Sequence, residues 1–173
     1  MSEATLARQL APLALPGGAL ARWIALLLPL ALLGGALGSQ YLGGLVPCEM
    51  CYWQRWPHGA AILLAGLAFS ASADSGRARA LTLLAAAVIA VSGAIGVYHA
   101  GVELGIFEGL TTCTSTAAGA TTADLLNSIM STPLVRCDQV QFAFLGISMA
   151  GWNAILSLTG AALIGWLTIK ARP

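Results

Sequence analysis

Four long stretches without one charged side chain set the terms for this protein. Arg22 to Glu49 encloses 26 uncharged residues, Arg55 to Asp74 encloses 18, Arg79 to Glu103 encloses 23 and Asp138 to Lys170 encloses 31. A helix crossing a bilayer needs roughly 20 residues, with a range of about 17–25. We therefore read four crossings, with cores at 23–41, 57–73, 80–100 and 147–169. In lipid these must be helices, because four hydrophobic strands cannot close a barrel. The expected fold is an all-α membrane protein, a four-transmembrane-helix bundle forming one domain over residues 1–173. Composition agrees: 9% of residues are charged and 58% hydrophobic, against about 25% charged in soluble domains. The net charge of +1, with no basic run, leaves no footprint for nucleic acid.

Lys and Arg give the orientation. Arg8, Arg22, Arg77, Arg79, Lys170 and Arg172 fall on one side of the expected membrane, and Arg55 and Arg136 on the other. Basic residues favour the cytoplasmic side. Both termini are thus expected in the cytoplasm, with two loops, 42–56 and 101–146, on the opposite face. In a bacterium that face is the periplasm, and the lipid bilayer is the inner membrane. The first span carries Ala36-Leu37-Gly38, which imitates a leader-peptide cleavage site. The arm before it is long and holds Glu3, so we read the span as retained. Gly34 and Gly38 form a small-xxx-small pair, predicting close approach of another helix.

All four cysteines fall in the two outer loops. Cys48 and Cys51 are two residues apart, close enough to form a disulfide or share a metal. Arg55 follows Cys51 by four residues, one helical turn, where a cation favours thiolate over thiol. Pro57 fits the first turn of a helix and disfavours helical geometry at Trp56; if the second helix begins only there, Arg55 approaches the sulfurs from a turn, and its proximity survives either way. Trp53 and Trp56 suit the aromatic belt at the membrane surface. His99 is expected near the outer end of the third span, on the side of the cysteines. Cys113 and Cys137 lie in the only substantial polar segment. Thr111 to Thr122, rich in small polar residues, reads as a mobile stretch, and 124–130 has the spacing of a short surface helix.

Several chemistries fit such a set. Four cysteines can be inert staples, an all-thiolate zinc centre, a reducing relay or an oxidising one. Zinc sites usually pair two short-spaced motifs, and Cys113…Cys137 supplies no second CxxC.

Cys48-Glu49-Met50-Cys51-Tyr52-Trp53-Gln54-Arg55 resembles the C-x-x-C-x-x-x-R motif of the bacterial DsbB family of disulfide bond formation proteins. Four spans, a short first loop, a longer second loop with separated cysteines, Tyr98-His99, and Phe144-Leu145-Gly146 before the last span are similar to that family as well. The resemblance covers residues 20–170. It implies a protein-disulfide oxidoreductase that reoxidises a periplasmic DsbA-like thioredoxin-fold partner and reduces a membrane quinone, ubiquinone or menaquinone. On the same resemblance, Cys113 meets the partner's thiolate and Cys137 passes electrons to the Cys48–Cys51 disulfide. Cys51 then faces the quinone, Arg55 stabilises its thiolate, and His99 helps bind the ring. No resident metal is expected. Gln54 stands where some relatives carry Glu, and Glu49 adds a negative charge beside the sulfurs. A vitamin K epoxide reductase-like oxidoreductase is the alternative, although its CxxC characteristically lies near the last spans. A structural or zinc-binding four-span protein is the alternative of a different class.

Overall fold

Apolar runs of this length satisfy their backbone only by bonding it internally, and the computed structural model does so with four long helices. It describes residues 17–72, 75–109, 121–123 and 135–171. Helix α1 is Gly17–Tyr41, α2 Glu49–Phe69, α3 Gly76–Glu103 and α4 Met149–Lys170. Neighbours pack in a ring, α1 on α2, α2 on α3, α3 on α4 and α4 back on α1. Three of them, α1, α3 and α4, are long and apolar enough to cross a membrane by length and composition. Helix α2 is the fourth member of the bundle.

Large apolar side chains point outward and small ones inward. Leu27, Leu63, Leu84 and Trp166 are more than half exposed, while the buried core is Ala21, Ala25, Ala61, Ala65, Ala85 and Ala86 around Ile89 and Ile164. That inverts the pattern of a water-soluble bundle. It suits lipid, where burying a leucine gains nothing over leaving it in the acyl chains and small residues let backbones approach. Helix α3 comes close to the backbone of α4: a Cβ added at Gly96 would lie 3.0 Å from that backbone, and one at Gly93 2.8 Å from Leu158.

Two expectations change. Among the described residues nothing lies within 4 Å of a Cβ added at Gly34 or Gly38, so no described helix packs on that pair. Helix α2 begins at Glu49 rather than Pro57, because Cys48 caps it: its sulfur accepts the Cys51 amide at 3.3 Å, and Glu49 sits in the positive first turn. Pro57 is therefore interior, as Pro29 is in α1. Neighbouring helices compensate polar groups near such a site. The Ser92 hydroxyl, for example, donates to the Gln54 carbonyl at 2.8 Å. Among the described residues the fold is all-helical, as expected, apart from one hairpin of two-residue strands. Ala143–Phe144 pairs antiparallel with Ile147–Ser148, across a turn with positive φ at Leu145 (53°) and Gly146 (76°). Two successive positive φ values make the primed turn whose twist suits a hairpin. Ser148 then caps α4 by accepting the Gly151 amide. The segments expected to be mobile and to form a surface helix lie outside the described residues, apart from 121–122, as does Cys113.

Candidate functional site

Because Cys48 is the cap of α2 and Cys51 lies in its first turn, both sulfurs sit where the helix dipole is positive. They are 2.8 Å apart. The hydrogen bond from Cys48 lowers the Cys51 thiol to about 7; burial opposes this and the Arg55 charge assists it. The same contact, with burial, pushes Cys48 up. The pair thus holds one proton on Cys48 and one negative charge on Cys51. Cys137 is buried in the same cluster as Cys48, Met50 and Val102, so three of the four cysteines converge.

Arg55 lies one turn beyond Cys51, but its guanidinium reaches across to α1. It donates to Gln40 Oε1 at 2.5 Å and to the Ala36 carbonyl at 3.2 Å, and stands 5.1 Å from the Tyr52 ring centre. Arg55 therefore ties α1 to α2 and sets a charge near Cys51. Lysine keeps the charge and cannot span both acceptors. Arg55→Lys is expected to cost about 1–2 kcal/mol in reversible denaturation in detergent, with the pH midpoint of Cys51 alkylation still near 7. Arg55→Ala should raise that midpoint too. An unchanged midpoint in the alanine variant would show that the charge does not reach the sulfur.

His99 is 3% exposed and lies against the cysteines. Its Nδ1 is 2.8 Å from Gln54 Nε2, and its Nε2 is 3.5 Å from Cys48 Sγ and 3.9 Å from a Glu103 oxygen. The ring also meets the backbone of Cys137. Hydrogen-bond polarity sets its tautomer. Gln54 donates to the Met50 carbonyl at 3.2 Å, so its nitrogen faces that way and its second hydrogen goes to His99 Nδ1. The neutral ring then carries its proton on Nε2, on the side that faces Cys48 and Glu103, and this one hydrogen also serves the ring's contact with the Cys137 backbone. The result is a chain running from Gln54 through His99 and Cys48 to the Cys51 thiolate.

A second branch enters the bundle. Asn153 donates to Gln54 Oε1 at 2.8 Å and to the Ser92 carbonyl at 3.2 Å. Asn153 Oδ1 meets His58 Nε2 at 2.9 Å and accepts from the Ser157 hydroxyl at 3.0 Å. Sequence reasoning missed His58, Ser92, Asn153 and Ser157. Their one signal was being polar within otherwise apolar spans, where such residues are costly and face the bundle interior.

These groups border a cavity of about 590 Å³ between α1, α2 and α4. Ala31, Leu32, Gly35 and Ala36 form an apolar wall, and Cys51, Arg55 and His58 line it from α2. It has the size and the few convergent polar groups of a small-molecule site. Cys48, Cys51 and His99 also offer three donor atoms within 4.8 Å of one another, a soft-metal set different from the all-thiolate one.

A dithiol on the wall of an apolar cavity, within a bundle that includes three membrane-length helices, defines a multi-pass membrane protein built for thiol–disulfide chemistry. Residues 19–167 match the family described as disulfide bond formation protein DsbB. The chain belongs to the DsbB family, which makes it a disulfide bond formation oxidoreductase of the membrane. It is also 24% identical over 130 residues to an uncharacterized protein of Rickettsia prowazekii (strain Madrid E), RP370, covering 73% of this chain and 74% of that protein. No solved structure matches it significantly.

Proposed function

We propose that this protein is a quinone-dependent thiol oxidase of the bacterial inner membrane that reoxidises a DsbA-like thioredoxin-fold protein in the periplasm. The supporting observation is the position of Cys51, a thiol lowered to about 7 on the wall of an apolar cavity. A thiolate is the electron-rich form that exchange and reduction require. A hydrophobic acceptor reaches such a cavity from the bilayer. In the proposed cycle the partner's two thiols become a disulfide as the Cys113–Cys137 disulfide is reduced. Those thiols then reduce Cys48–Cys51, for which the burial of Cys137 beside Cys48 is favourable. Finally Cys48 and Cys51 close again: their two electrons, the one proton held on Cys48 and a second proton taken from the medium convert quinone to quinol. Arg55 stabilises charge on Cys51 and on the nearer quinone oxygen. His99 orients the proton of Cys48. In this reading all four helices cross the membrane, with both termini in the cytoplasm and the cysteines in the periplasm.

Titrating the reduced full-length protein with short-chain ubiquinone and menaquinone analogues tests the proposal. Two thiols should disappear per quinone consumed. Metal analysis of the same sample should find no stoichiometric zinc. One zinc per chain, lost on Cys48→Ser, or quinone left unreduced, would remove the oxidase reading and favour the metal site of Cys48, Cys51 and His99.

A further inference from the structure

His58 is 3% exposed and lines the cavity two turns along α2 from Cys51, an axial distance of about 10 Å. Its Nε2 faces oxygens that can only accept. The Ser92 hydroxyl, at 3.0 Å, spends its hydrogen on the Gln54 carbonyl. Asn153 Oδ1, at 2.9 Å, belongs to an amide whose nitrogen is committed to Gln54 Oε1 and the Ser92 carbonyl. Nε2 therefore carries the proton of the neutral ring, and Nδ1 is left as an acceptor. That Nδ1 has almost no surface open to the empty cavity and, among the described residues, no hydrogen-bond partner, so a ligand hydroxyl reaches it only with a small shift of the ring. A buried acceptor without a donor is costly, so the site is built to receive one.

Resting on the quinone reading above, we infer that His58 Nδ1 accepts a hydrogen bond from a hydroxyl of the reduced quinone, so that the cavity recognises quinol in preference to quinone. The two redox forms differ in the property this atom tests. A quinone oxygen offers only lone pairs, whereas a quinol oxygen carries a hydrogen. The ends of the site are then complementary. Arg55, a donor, suits an oxygen that is bare or anionic near Cys51, and His58, an acceptor, suits a hydroxyl farther along α2. Preference for the product draws reduction forward and slows product release.

Competition binding on full-length protein carrying Cys51→Ser, which blocks electron transfer, provides the test. The probes are a short-chain ubiquinone, its quinol and the quinol's dimethyl ether, which lacks both hydroxyl hydrogens. The quinol should bind about threefold to tenfold tighter than the ether, the worth of one hydrogen bond. His58→Leu should abolish that difference and leave ether affinity unchanged. His58→Gln should preserve it, since its amide can donate to Asn153 and still present an oxygen to the cavity. Nitrogen-15 spectra of histidine-labelled protein need no substitution at His58: its Nδ1 signal should move on adding quinol and stay still on adding ether. Equal affinity for quinol and ether in the Cys51→Ser parent, or a preference surviving in His58→Leu, overturns the inference. Failure of all three probes to bind overturns the quinone reading beneath it, a different result.

Discussion

Reduced protein carrying Cys51→Ser is expected to lose quinone reduction by at least about a thousandfold, because a serine hydroxyl stays un-ionised and supplies no thiolate. The pH dependence of the native thiol identifies the cause. With Cys51 at about 7, half of it is thiolate at pH 7, against roughly 3% of an ordinary cysteine. Its folded value lies below the ordinary one, so the reactive anion persists above pH 7 and is lost as pH falls through 7. Lower basicity also makes a thiolate intrinsically less nucleophilic. The net gain in alkylation rate at pH 7 is therefore about threefold rather than fifteenfold. The midpoint is the sharper readout. Alkylation of Cys51, followed by peptide mass spectrometry, should have its midpoint near pH 7, with Cys48 reacting far more slowly at every pH. A midpoint near 8.5, or Cys48 reacting first, would place the proton on the wrong sulfur.

The parts of the site that could be read directly are those whose partners are close in sequence. Cys48, Cys51 and Arg55 share one helical turn after another, so spacing alone brought them together. The charge gaps likewise marked out a four-helix bundle. They failed at the start of α2, because charge marks where apolar sequence stops and not where a helix does. Glu49 and Arg55 interrupt the apolar run, yet Cys48 caps a helix that runs through both. The turn at Leu145-Gly146 was hidden for a similar reason, since leucine is not a residue that announces positive φ. Gly34 and Gly38 carried a packing signal with no described helix to receive it, whereas Gly93 and Gly96 bring α3 close to α4. His99 was placed at the correct end of its helix. Its contacts depend on Gln54, 45 residues earlier, and on Cys48, 51 residues earlier. Such pairings arise from tertiary packing, and no local pattern encodes them.

Gln54→Glu is expected to reverse the hydrogen-bond polarity of the whole centre. Glutamine donates to His99 Nδ1. A glutamate carboxylate can only accept, so Nδ1 must become the protonated nitrogen. Nε2, 3.5 Å from Cys48, then presents a lone pair in place of a hydrogen. The Cys48 proton turns from Cys51 to His99, and the Cys51 thiolate loses the hydrogen bond that contributes most to lowering it. The Cys51 midpoint should climb from about 7 towards 8.5, and alkylation at pH 7 should fall by about threefold. Quinone reduction should fall further, because the thiolate and its proton donor are disturbed together. The new carboxylate would also disfavour a nearby thiolate through its charge alone, so the tautomer effect needs separation from the field effect. Combining Gln54→Glu with His99→Phe does this, since phenylalanine has no tautomer to flip and leaves the charge in place. If polarity governs the site, the midpoint shift caused by Gln54→Glu should shrink substantially in the His99→Phe background. An undiminished shift would assign the effect to charge and leave His99 a packing residue beside the cysteines.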